Sequence, residues 1–301
     1  MQKYRNLTLF LVLSAMWGTS FMAIKAGLTF YPPVFYAAIR FYIAGSLMLT
    51  ATVLETDYWY PREKEGWCTV FISAFLMFMV YHAFLYIGEL FTTSAVAAII
   101  VSLSPLLTSG FSRALLPSEC VTLMDLLGIL LGLLGIVIIA RPNLSDLLTP
   151  TLLGKGLIFV AVASYALGSV LVRRTHNSLP QKSLIAWAML LGAVMMHGIS
   201  MLRRETLLFF QWQVGSLLPV LYLSLVSGFL GYLIYFDLLE RFGPLEINLV
   251  SYLTPVFASI TGWIFLQESI EIVTVMGFFV IFAGFLLIKR NELRSEIRPG
   301  E

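Results

Sequence analysis

The chain has 301 residues, of which 59% are hydrophobic and 12% charged, with a formal net charge of +2. A soluble domain of this length has no way to cover that much apolar surface, and a near-neutral charge without a basic patch argues against nucleic acid as a partner. Cys68 and Cys120 stand far apart without a C-x-x-C spacing, so the chain carries neither a disulfide framework nor a thiolate metal site.

Apolar runs of about 20 residues, each long enough to cross a hydrocarbon core, recur from end to end. They predict ten spanning helices at 7–27, 33–54, 67–88, 93–115, 121–140, 152–173, 183–202, 215–237, 245–266 and 271–289. The first run lacks an A-x-A cleavage pattern and reads as a span rather than a removable signal. The connections are short and carry turn chemistry, as at Tyr31-Pro32-Pro33, Arg141-Pro142-Asn143 and Arg241-Phe242-Gly243-Pro244. The runs are continuously apolar, which excludes the alternating pattern of spanning strands. The expected fold is an all-α membrane protein.

The first span carries Trp17-Gly18-Thr19-Ser20-Phe21 near mid-depth. Tryptophan normally sits at the membrane interface, so a central one reads as a cavity wall or a packed contact, and Gly18 allows close helix approach. The second span holds Arg40, whose charge needs a partner in the membrane: a carboxylate, a carbonyl or a substrate anion. The third carries Tyr81, His82, Tyr86 and Glu89, with His82, Tyr86 and Glu89 on one face. Two readings stand for His82 and Glu89: a proton relay, or an interfacial Glu89 with His82 donating to a nearby carbonyl. In the fourth span Ser102, Pro105, Ser109 and Ser112 share a face. A mid-span proline bends its helix and leaves a carbonyl free, so Pro105 is either a cavity-lining pivot or a packing kink. Gly128, Gly132 and Gly135 in the fifth, with Gly277 and Gly284 in the tenth, predict close packing of those helices or a dimer seam, leaving monomer and homodimer open.

The chain is also written twice. At an offset of about 150 residues, Ser14 meets Ser164, Gly18 meets Gly168, Thr19 meets Ser169, and Ser102, Pro105 and Ser109 meet Tyr252, Pro255 and Ser259. After a one-residue gap Glu119 meets Glu268, Gly128 meets Gly277 and Gly135 meets Gly284. The second copy supplies Tyr165 and Ser169 in the sixth span, Tyr232 and Tyr235 in the eighth, and a stripe of Asn248, Tyr252, Pro255 and Ser259 in the ninth. With the N-terminus inside, Lys3, Arg5, Arg62, Lys64, Arg113, Arg173, Arg174, Lys182, Arg241, Lys289, Arg290, Arg294 and Arg298 fall on the inner side, against Lys25, Arg141, Lys155, Arg203 and Arg204 outside. That bias places both termini in the cytoplasm. An odd five spans per copy then inverts the second copy relative to the first, giving repeats at 1–145 and 146–301 with a solute site between them.

Together these residues resemble the EamA family of the drug/metabolite transporter superfamily. The carrying features are Trp17 to Phe21, Pro33 with Arg40-Phe41, Ser104-Pro105, Glu119 and the Gly128/Gly135 helix. Their second appearance is Ser164 to Ser169, Thr254-Pro255, Glu268 and Gly277/Gly284. The resemblance implies a ten-helix bundle of inverted repeats. Its cavity is formed mainly by the first, third, fourth, sixth, eighth and ninth helices, and the fifth and tenth lie at the periphery. It further implies movement of metabolites, amino acids or drug-like compounds, commonly outward across the cell membrane.

The expected function is therefore a secondary transporter of a small organic solute in the lipid bilayer, an exporter as the resemblance implies. It would use no cofactor. A facilitative pore is the alternative. An intramembrane enzyme is disfavoured because His82, His176 and His197 form no H-E-x-x-H pair, and there is no G-x-x-x-x-G-K-[ST] loop. The candidate binding residues are Trp17, Thr19, Ser20, Tyr81, His82, Tyr86, Ser102, Pro105, Ser109, Tyr165, Ser169, Tyr232, Tyr235, Asn248, Tyr252, Pro255 and Ser259.

Overall fold

The computed structural model describes residues 2–116, 122–141, 149–175, 178–205, 214–242, 247, 249–288 and 290. Among these every regular element is helical. The helices are α1 (Gln2–Gly27), α2 (Pro33–Glu55), α3 (Lys64–Glu89), α4 (Ser94–Leu115), α5 (Leu123–Ala140), α6 (Pro150–Arg174), α7 (Gln181–Leu202), α8 (Gly215–Phe242), α9 (Val250–Leu266) and α10 (Ile272–Ile288). Seven of them, α1 to α4 and α6 to α8, are long and apolar enough to cross a membrane. The apolar parts of α5, α9 and α10 are shorter, at 10–17 residues. The protein is thus an all-helical, multi-pass membrane protein.

Local chemistry fixes the helix ends. Pro33 and Pro150 open α2 and α6 at positions where a missing N–H costs nothing. The hydroxyl of Thr93 accepts from the Val96 N–H, and that of Thr149 from the Leu152 N–H, each at 3.3 Å. At the other end of α9, Gln267 takes the left-handed conformation (φ 56°) that closes a helix.

Two helices depart from the uniform α-helix that periodicity predicts. Residues Ser73–Val80 of α3 and Tyr222–Leu230 of α8 are wound as π-helix. A π-helical stretch carries extra residue per turn and so resets the face on which all later side chains emerge. In α4 the helix breaks at Ser102 and Leu103, between Val101 and Ser104. Pro105 has no N–H to give to the Val101 carbonyl four residues back, so the break falls where the sequence demands it.

The helices pack as α1 with α9, α2 with α7, α3 with α6, α4 with α6 and α5 with α10. The α5–α10 contact is a crossing of glycines. A methyl group on Gly128 would lie 2.6 Å from the Gly284 carbonyl, and one on Gly135 would lie 2.8 Å from that of Gly277. Only glycine permits backbones this close, which is why these helices sit together. Tyr36, Phe41, Phe78 and Tyr86 fill the interior between α2 and α3.

Candidate functional site

A cavity of about 150 Å³ lies at the centre, walled by α1, α2, α3, α4, α6, α8 and α9. Helix α1 presents Trp17, Ser20, Phe21 and Ile24, the spacing of one helical face. Trp17 donates its indole N–H to the Ser227 carbonyl at 3.3 Å and lies 5.9 Å from the ring of Tyr232 and 5.6 Å from that of Tyr235. That carbonyl belongs to the π-helical stretch of α8, where the normal ladder is disturbed and acceptors are freed. The hydroxyls of Ser20 and Ser227 pair at 2.7 Å.

From α3 come Tyr81, His82 and Leu85, just past the π-helical stretch. His82 Nδ1 bonds the Phe78 carbonyl at 3.0 Å; a carbonyl only accepts, so this nitrogen carries the proton. The imidazole stands edge-on to Phe41 at 4.4 Å and to Tyr81 at 4.6 Å. Across the cavity Tyr81 meets Tyr165 of α6 at 5.3 Å. Aromatic contacts of this kind make a stiff wall with few rotamers to lose on binding.

Arg40 enters from α2, seven residues past its start, and is 5% exposed. One guanidinium nitrogen donates to the Tyr86 hydroxyl at 2.9 Å, and the group lies 4.3 Å over the Phe41 ring. Its Nε has no partner.

Helices α4 and α9 contribute Val101 with Ser104, and Ser251 with Thr254. The two pairs lie at the sequence offset of 150. Each pair begins at the residue whose carbonyl loses its donor to a proline, Val101 to Pro105 and Ser251 to Pro255. The wall therefore sets small polar side chains beside the positions where a proline leaves a backbone carbonyl without its helical donor.

Of the residues selected from sequence, Trp17, Ser20, Tyr81, His82, Tyr165 and Tyr232 meet in this wall. Tyr235 stands behind it against Trp17, and Tyr86 behind it on Arg40. Thr19 meets the Tyr222 hydroxyl. Ser102 and Pro105 are buried one residue past the lining positions, with Ser102 Oγ donating to the Ile99 carbonyl at 2.7 Å. Ser109 lies further along α4, and its carbonyl accepts from Arg113 at 3.2 Å. Ser169 Oγ donates to the Ala166 carbonyl at 2.8 Å. Tyr252 packs outward on Phe282 and Phe285 of α10, at 5.3 and 4.5 Å; Pro255 is buried and Ser259 half-buried, away from the wall. Asn248 and Glu119 lie outside the described residues. Arg40, Ser104, Ser227, Ser251 and Thr254 complete the wall without having been singled out as binding residues. The signal for Ser251 was present in the sequence as the position four residues before Pro255.

Two charged side chains join helix ends at one end of the bundle. Lys25, at the end of α1, donates to the carbonyls of Glu89 at 2.6 Å and Thr92 at 2.7 Å, where α3 terminates. A cation on the C-terminal carbonyls of a helix is electrostatically favoured. Glu268, just past α9, accepts the Ser94 N–H at 3.0 Å and so caps the start of α4. The side chain of Glu89 is fully buried, and neither of its carboxyl oxygens has a partner.

Comparison with known proteins agrees with this architecture. The EamA-like transporter family matches residues 5–141 and again residues 152–290. An uncharacterized transporter of Archaeoglobus fulgidus is 26% identical, over 91% of this chain and 95% of its own. The transporter YvbV of Bacillus subtilis is 26% identical, over 95% of this chain and 92% of its own. Protein PecM of Dickeya dadantii is 25% identical, over 95% and 94%. A solved crystal structure superposes with a TM-score of 0.66 at 19% identity, covering 97% of this chain and 99% of that one, a likeness of fold. The chain belongs to the EamA-like transporter family.

Proposed function

We propose that this protein is a secondary transporter that exports a small organic metabolite, an amino acid or a drug-like solute, across the cell membrane by alternating access. In this reading ten spanning helices form two inverted repeats, 1–145 and 146–301, with both termini in the cytoplasm. The observation that carries it is a central cavity to which both halves contribute equivalent pairs, Val101/Ser104 and Ser251/Thr254, each just before a proline at equivalent positions, Pro105 and Pro255.

Helix pairing supports the repeat. The contact of α1 with α9 has its counterpart in α4 with α6, while α2–α7 and α5–α10 are their own counterparts. The π-helical stretches at Ser73–Val80 and Tyr222–Leu230 are likewise equivalent. Departures from symmetry support alternation. Gly18 packs against Thr254 and Phe257 of α9, whereas its equivalent Gly168 packs against Leu76 and Met77 of α3 rather than on α4. Equivalent glycines packed on different helices are the kind of asymmetry that one of two exchanging states would show. The ties of Lys25 and Glu268 would close this state at one end.

Counterflow in liposomes with purified protein tests the proposal. Saturable, solute-specific exchange is expected. Unsaturated flux of many unrelated solutes would mark a pore, and appearance of a new product would mark an enzyme.

A further inference from the structure

Arg40 is the one residue with a fixed charge in the cavity wall among the described residues. It makes no ion pair with a described residue: the ion pairs among the described residues are Arg141 with Glu271, Lys182 with Glu55, Arg203 with Glu205 and Arg241 with Asp237. The buried carboxyl group of Glu89 has no hydrogen-bond partner on either oxygen and forms no ion pair with Arg40. A guanidinium offers five donors, and in a low-dielectric interior each unmet donor is costly. Tyr86 takes one and the Phe41 ring covers a face, but Nε is left over. An arginine placed only to join α2 to α3 would have its charge matched by the protein. This one leaves its charge to be matched from the cavity.

We propose that the solute is a small organic monoanion, a carboxylate with an aromatic or branched apolar body, whose carboxyl oxygens bond the guanidinium of Arg40 where it lines the cavity. The proposal rests on reading the cavity as the solute site. Trp17, Tyr81, Tyr165 and Tyr232 supply rings for the apolar body. An aromatic cage alone would suit an organic cation, but here a cation would meet the uncompensated charge of Arg40. A phosphate dianion would call for a second cation, and the described wall has none. One guanidinium matches one carboxylate in charge and in fork geometry.

The test is thermal melting of the full chain in detergent with shape-matched triplets: a carboxylate, its primary amide and the corresponding amine, on phenyl, branched and linear bodies. Carboxylates with phenyl or branched bodies are expected to raise the melting midpoint, and the amides and amines to leave it unchanged. Arg40→Gln should weaken carboxylate affinity by about thirtyfold or more, because removing one partner of a desolvated charge pair strands the other. Arg40→Lys should keep part of the response, and Tyr86→Phe should keep the preference for carboxylates. Equal stabilisation by amide or amine, a wild type indifferent to every carboxylate, or an undiminished response in Arg40→Gln would each overturn the proposal. If Arg40→Gln does not fold, the wild-type triplets decide. Counterflow separates this idea from the transport reading. Exchange of uncharged or cationic solutes alone would sink the anion and spare the transporter; no exchange of any solute would sink the transporter, while carboxylate binding would still be read by melting.

Discussion

Trp17 donates its indole N–H to the carbonyl of Ser227, joining α1 to the π-helical stretch of α8 across 210 positions of sequence. The contact depends on a third residue. A methyl group on Gly231 would lie 2.9 Å from the indole nitrogen.

Gly231→Ala is therefore expected to push the indole off its acceptor. Such overpacking costs about 1–3 kcal/mol, and Trp17→Phe, which only deletes the bond, about 1 kcal/mol. Melting in detergent reads both. A Gly231→Ala protein as stable as wild type would show that the ring does not need the space.

Cysteine scanning distinguishes the two candidate faces of α4 and α9. In a background lacking Cys68 and Cys120, cysteine at Ser104 or Ser251 is expected to react with a water-soluble thiol reagent. Cysteine at Ser102, which is fully buried, and at Tyr252, which packs on α10, should stay inert. The reverse pattern would place the wall one residue further along both helices.

The two prolines predict a kinetic effect. Pro105→Ala and Pro255→Ala return a donor to the carbonyls of Val101 and Ser251 and straighten their helices. Turnover in counterflow should fall about tenfold, the equivalent of roughly 1.4 kcal/mol in the barrier. Melting should hold or rise. Unchanged turnover in the double variant would remove both prolines from the transport cycle.

The glycine crossing predicts a stability effect remote from the cavity. Gly284→Leu drives a side chain into the Gly128 carbonyl, 2.5 Å from where its Cβ would sit, at a cost of about 1–3 kcal/mol or more. Gly156→Ala on α6, where a Cβ meets nothing within 4 Å, is the control and should melt like wild type. Equal melting of the two variants would mean that α5 and α10 separate readily.

The positions of the helices were legible because apolar run length is a one-dimensional property: the run at 33–54 became Pro33–Glu55, and 271–289 became Ile272–Ile288. Rotation about each axis was less legible. In α4 and α9 the prolines drew attention to their own face, but a proline acts on the carbonyl four residues back, which turns the lining to Val101/Ser104 and Ser251/Thr254. In α3 the π-helical stretch shifts the phase between Ser73 and Tyr81, and no hydrophobic period announces it. Arg40 was conspicuous as a charge in an apolar run. Its accounting, one bond to Tyr86 and an orphan Nε, needed the tertiary structure because Tyr86 lies 46 residues away. The aromatic wall was legible on α1, α3, α6 and α8, where the rings cluster in sequence.

The wider turns of α3 and α8 make the cavity sensitive to winding in a way that composition does not reveal. An α-helix turns about 100° per residue and a π-helix less, so rewinding Ser73–Val80 as ordinary α-helix at unchanged length would swing Tyr81 and His82 by roughly the angle of one residue. The span would still be long enough for the bilayer and as greasy as before, yet its aromatic groups would face a neighbouring helix or lipid. The winding of those two segments, more than the identity of any residue in them, decides what a solute meets.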